Sequence, residues 1–183
     1  MDWKREVYEL PEGHGWQARP GHKILVLDAG AVLLEYPAGW AVEPGRGAIE
    51  IRDGANIEES NCVLAVSYVR LPPHDWSDVP LSGVLLKAAE GDDRERIATG
   101  APVESAREGL QLAWTELRLV DPGEHRQARS RICLARGRRI QCLITFDFWP
   151  EDAKRLIKVW DGVLESLRLE VELEGPRQGT RLE

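Results

Sequence analysis

The chain has 183 residues, 24 basic against 31 acidic side chains, a formal net charge of −7, 43% apolar residues and 3 cysteines. A chain of this length buries about 70% of the surface its unfolded form exposes, so a single core suffices without structural metal or disulfide staples. The acidic balance argues against a nucleic-acid binder, whose affinity for phosphate comes from clustered Lys and Arg. The longest apolar runs, Ala29 to Leu34 and Cys62 to Val66, fall far short of the roughly 20 residues that span a bilayer.

Residues 1–22 hold Gly13, Gly15, Pro20 and Gly21 among scattered aromatics, which predicts an extended N-terminal arm anchored by Trp3, Tyr8 and Trp16. The charged opening from Met1 to Glu6 is unlike a secretory signal and predicts a cytoplasmic protein. Residues 23–173 form the predicted single α+β domain, and the polar, breaker-rich residues 174–183 a flexible tail. Strands are predicted from β-branched and aliphatic runs over Lys23 to Leu27, Ala31 to Tyr36, Ala48 to Arg52, Cys62 to Arg70, Leu110 to Val120, Gln127 to Ala135 and Arg139 to Phe148. In the last of these Ile140, Cys142, Ile144, Phe146 and Phe148 alternate onto one face, with Leu143 as the exception.

Two segments have helical spacing. Pro80 to about Glu90 should bury Leu81, Val84, Leu85 and Ala88 and end at Gly91 in a left-handed cap. The second helix opens at Pro150 with Glu151 and Asp152 at the positive end of its dipole; Ala153, Leu156, Ile157, Trp160, Val163, Leu164 and Leu167 make its apolar stripe. Antiparallel strands with helices packed on them make an α/β/α sandwich. For the hairpin around Arg136-Gly137-Arg138, a three-residue loop sets Leu134 opposite Ile140 and Ile132 opposite Cys142, so Cys133 faces away from Cys142. A two-residue loop would place Arg131 on the buried side and is disfavoured.

With this order in place, Tyr36-Pro37-Ala38-Gly39-Trp40 after an early strand resembles the aromatic-Pro-x-Gly-Trp turn of the PsbP-like family, and the closing helix ending Val163-Leu164-Glu165-Ser166-Leu167 is similar too. The resemblance covers Lys23 to Leu169 in element order and implies a fold used mainly by binding proteins. Those include a photosystem II extrinsic subunit, a nucleotide-release factor for the GTPase Ran, and bacterial adaptor chaperones. No family site maps residue by residue onto this chain.

Candidate binding residues are Trp40, Trp76, Arg129, Arg131 and Arg139. Trp40 has a structural role open to it, as an aromatic capping the core beside a tight turn. Trp76, in Pro72-Pro73-His74-Asp75-Trp76-Ser77, would be a partner-binding anchor if exposed. Arg126, Arg129, Arg131, Arg136, Arg138 and Arg139 form a basic run without an acid, and the preferred register gives Arg129, Arg131 and Arg139 one non-core face, to be weighed against a merely solvated sheet surface. Cys62, Cys133 and Cys142 lack zinc-site spacing, and His14, His22, His74 and His125 are scattered, so neither metal nor cofactor is expected. Asp147, Glu151 and Asp152 are explained by a polar strand face and a helix start.

The residues therefore point to a non-enzymatic binding or adaptor protein holding a protein partner, without nucleic acid, membrane or any catalytic residue. The rival is a small-molecule carrier or enzyme with a pocket between sheet and helix, using Asp147, His74 or Cys62. Homodimerisation through a sheet edge is the third option.

Overall fold

The computed structural model describes residues 4–11, 16–54, 59–76, 78–172 and 180–182. Trp3 and His14 of the expected arm, and 174–179 and 183 of the expected tail, lie outside them. In chain order the elements are β1 (Tyr8–Glu9), β2 (His22–Leu27), β3 (Val32–Pro37), β4 (Ala41–Pro44), β5 (Ile49–Arg52), β6 (Cys62–Arg70), α1 (Leu81–Glu90), β7 (Arg96–Thr99), β8 (Val103–Arg107), β9 (Leu110–Val120), β10 (Gln127–Arg136), β11 (Ile140–Phe148), α2 (Ala153–Ser166), β12 (Arg168–Leu169) and β13 (Thr180–Arg181). The large sheet runs β4-β5-β6-β11-β10-β9-β7, with β8 also paired to β9, and every described pairing in it is antiparallel. A three-stranded sheet runs β12-β3-β2, and β1 pairs with β13, so Thr180 and Arg181 are tied to the arm.

This is the α/β/α sandwich the periodicities predict. On one face of the large sheet, α2 and the β2–β3 sheet bury Trp160, Leu156, Val163 and Leu34 against Phe146, Ile144, Cys142 and Cys133. Each large side chain removed from water there contributes about 1.5–3 kcal/mol. Trp160 stacks on Phe146 at 6.2 Å between ring centres and meets Trp114 edge-on at 5.9 Å. On the opposite face α1 sets Leu81, Leu85 and Ala89 over Ala113, Leu117, Leu119, Ile132 and Leu134. Leu143 is partly buried against that second core, which explains its break in the alternation of β11.

Three sequence expectations are corrected. In α1 the buried stripe is Leu81, Leu85 and Ala89, and Ala88 is exposed. Gly91 stays right-handed at φ −75°, its N–H donating to Ala88 O, because the chain tightens into a further turn at Asp92. In the β10–β11 hairpin the pairing is Arg136 to Gln141, Leu134 to Leu143 and Cys133 to Ile144. A four-residue tip closed by the Gly137 N–H on Ile140 O, 2.9 Å, replaces the three-residue loop. The extra residue reverses the side-chain parity of β10. Cys133 therefore shares a face with Cys142, both as free thiols, and Arg131 enters the buried side opposite Phe146.

Candidate functional site

That register disperses the arginine face expected from the sequence. Arg131 is 7% exposed and is matched across the strands by Glu116 of β9. Its Nε donates to Glu116 Oε2 at 2.9 Å and its guanidinium lies 4.9 Å from the Trp114 ring centre and 5.9 Å from that of Trp160. The carboxylate and the ring faces offset the desolvation that made this register look unfavourable. Arg129 is half-buried beside it and reaches the other oxygen of Glu116 at 3.4 Å. Arg139 lies instead at the exposed hairpin tip, with its N–H on Glu170 Oε1 and its carbonyl accepting from the Leu71 N–H. The three residues do not share a face.

Trp40 is half-buried, 6.2 Å from Phe146, in a turn held by its own N–H on Pro37 O and by the Ala38 N–H on Gly21 O. It caps the core beside Tyr36 as the turn chemistry allows. Trp76 differs, because it lines a cleft of about 520 Å³ at the end of the large sheet. The indole N–H of Trp76 donates to Pro72 O at 3.3 Å, and its ring meets His74 edge-on at 5.1 Å, so the pair forms one wall. Strand β8 contributes Ala106 and Arg107, the β8–β9 turn Gly109, β9 Gln111, and β10 with its tip Arg136 and Arg138.

The cleft is cationic. Arg136 is 5% exposed; its Nε and Nη2 donate to Gln111 Oε1 at 3.1 and 2.8 Å, and Nη2 donates to Val79 O at 2.8 Å. Arg138 is exposed, and its backbone N–H is fixed by Glu170 Oε2 at 2.7 Å. The Arg107 guanidinium turns to the end of α2, donating to Leu164 O at 2.8 Å and to Leu167 O. Burial first, and then the neighbouring Arg168, hold its pKa below the ordinary arginine value. Asp75 is the one carboxylate among the described lining residues. Gln111 and the burial of Arg136 escaped the sequence reading, because both depend on the register that sets Arg136 opposite Gln111.

The side chains named for a pocket enzyme are not brought together. Asp147 meets Arg94 at 3.2 Å on the α1 face of the sheet. Cys62 is buried on the other face, where desolvation and then the charge of Asp53 push its thiol far above the ordinary range. Only His74 of the three lines this cleft. Among the described residues no group of three His, Cys, Asp or Glu side chains is arranged to hold a metal ion, and no helix is long and apolar enough to cross a membrane.

This arrangement of helices on an antiparallel sheet is the PsbP-like fold. The cyanobacterial PsbP (CyanoP) of Synechocystis sp. PCC 6803 superposes with a TM-score of 0.58 at 16% identity, over 85% of this chain and 96% of that one. LpqN of Mycobacterium tuberculosis, described as involved in cell envelope biogenesis, gives 0.56 at 11% identity over 81% and 90%. The Ran-binding protein Mog1p of Saccharomyces cerevisiae gives 0.50 at 12% identity over 81% and 95%. At the level of sequence, the profile of the Alr1449 family matches residues 23–173. The alr1449 protein of Nostoc sp. is 37% identical over 180 residues, spanning 98% of this chain and 93% of that protein. The chain belongs to the Alr1449 family.

Proposed function

We propose that the protein is a non-enzymatic, cytoplasmic binding or adaptor protein that holds a protein partner in the Trp76 cleft. The observation that carries this reading is an aromatic wall, Trp76 held against His74 and Pro72, in a cleft also lined by Arg136 and Arg138. A half-buried aromatic with arginine nearby is the composition of an interface anchor. The scatter of Asp147, Cys62 and His74 over separate sites supports binding over bond chemistry. Three unpaired thiols suit a reducing compartment. The Ran-binding description of Mog1p, which has the same fold, adds support by analogy alone.

The test is affinity capture with the wild-type chain, Trp76→Ala and Arg138→Glu, the captured proteins being identified by mass spectrometry. Loss of the same captured protein from both variants, each melting at the wild-type temperature, is the expected result. Identical capture by all three would remove the cleft as the binding surface. The exposed edge strand β8 is the feature that favours self-association as the second reading, and solution mass measures it directly.

A further inference from the structure

We propose that the cleft binds a carboxylate of an acidic peptide segment, held by Arg136 from the floor and Arg138 from the rim; this rests on the protein-binding reading of the same site. Three arginines among the described residues are buried: Arg52, Arg131 and Arg136. The chain sets Glu50 against Arg52 and Glu116 against Arg131. Arg136 has the lowest exposure of the three and meets neutral oxygens alone, those of Gln111 and Val79. A guanidinium does not release its proton near neutrality, so that charge persists in a desolvated position without a counterion among the described residues.

The geometry leaves a place for the missing partner. Gln111 and Val79 occupy Nε and Nη2, while Nη1 has no acceptor among the described residues. Arg138, also on the cleft, makes no ion pair among the described residues, and its position is fixed through the Glu170 bond to its backbone. The N–H groups of Nη1 suit a carboxylate oxygen in a charge-assisted hydrogen bond, and a carboxylate is the group the chain itself places against its other buried arginines. The Trp76 ring supplies an apolar wall for the methylenes of a glutamate side chain. The described lining carries Arg107, Arg136 and Arg138 against Asp75, with the Arg107 guanidinium turned to the end of α2 and the Glu170 carboxylate held on the Arg138 N–H at the rim.

Fluorescence anisotropy with fluorescein-labelled hexaglutamate tests the proposal on the full chain, with labelled hexaglutamine as the neutral control and inorganic phosphate as competitor. Saturable binding of hexaglutamate, about tenfold or more tighter than hexaglutamine and weakened by salt, is expected. Arg138→Glu should weaken it about tenfold or more without changing the melting temperature, and Arg136→Gln should abolish it. If Arg136→Gln does not fold, Arg138→Glu decides. Equal binding of the two peptides, binding unchanged in Arg138→Glu, or displacement by phosphate at lower concentration than by unlabelled hexaglutamate would each overturn the proposal. Capture that depends on Trp76 while hexaglutamate does not bind defeats the carboxylate inference alone. Capture indifferent to Trp76 defeats the protein-binding reading beneath it.

Discussion

Arg131 and Arg136 are five residues apart on β10, both buried, on opposite faces of one sheet, and they do different things. Arg131 is enclosed by groups that answer its charge: Glu116 across the strand pair and the rings of Trp114 and Trp160. Arg136 ends the same strand in the lining of a cleft, with an amide and a carbonyl in place of a carboxylate. A buried cation whose counterion lies within the chain belongs to the fold. One without a counterion gives up stability that a ligand can return, which is how binding sites differ from cores.

Substitutions at the two ends should separate accordingly. Trp160→Ala removes the fully buried wall over Arg131 and should cost about 3–5 kcal/mol in urea denaturation, whereas Trp76→Ala, in a half-buried loop position, should change stability by less than about 1 kcal/mol. Arg131→Gln breaks a buried pair and should cost about 3 kcal/mol. Arg136→Gln removes a charge with no counterion among the described residues together with the hydrogen bonds to Gln111 and Val79, and should cost about 1–2 kcal/mol, less than Arg131→Gln. Equal losses for the two arginines would erase the distinction drawn between them.

Acid sharpens the comparison further. Burial pushes the Asp53 carboxyl up, but hydrogen bonds from Arg155 and from the N–H groups of Asn61 and Cys62 outweigh it and hold the pKa below the ordinary value. The hydrogen bond from Arg94, with the backbone N–H of Arg94 and the charges of Arg94 and Arg96 adding to it, likewise holds Asp92 below its ordinary value against burial. A carboxylate depressed in the folded state stabilises above its unfolded pKa, so this contribution is complete at neutrality and is lost as pH falls below about 4. Melting temperature against pH should show that decline, with a smaller acid loss in Arg155→Gln. Arg136→Gln should keep the wild-type acid limb, since Arg136 makes no carboxylate ion pair among the described residues. The smallest effect concerns the thiols: desolvation pushes Cys133 up to about 12, and Cys62 and Cys142 beyond the usual range. A colorimetric thiol reagent should therefore find all three unreactive until the chain unfolds.

Much of this frame is legible in the sequence. The seven strands expected from β-branched runs are present within a residue or so of their expected ends, and the stripe from Ala153 to Leu167 is the face α2 buries. What escapes does so for physical reasons. In β10, Ile132 and Leu134 point to one helix while Cys133 and Ala135 point to the other, so apolar patterning alone cannot set its parity. The length of the hairpin tip decides it. Strand β8 is exposed at all five positions and gives no alternation to detect, although pairing to β9 holds it in the sheet. Of the site, Trp76 stood out as a loop aromatic and Arg136 as one of a run. That the two share a cleft, with Gln111 aligning the guanidinium, follows from strand register across three elements rather than from any local motif.

Glu170, just beyond β12, gives its two carboxylate oxygens to the N–H groups of Arg138 and Arg139 from a left-handed backbone at φ 55°. A Cβ on Gly137 would come within 2.7 Å of that same carboxylate. The lip of the cleft is thereby latched to the segment leaving α2. One carboxylate at the exit of α2 thus sets where the Arg138 backbone stands at the rim.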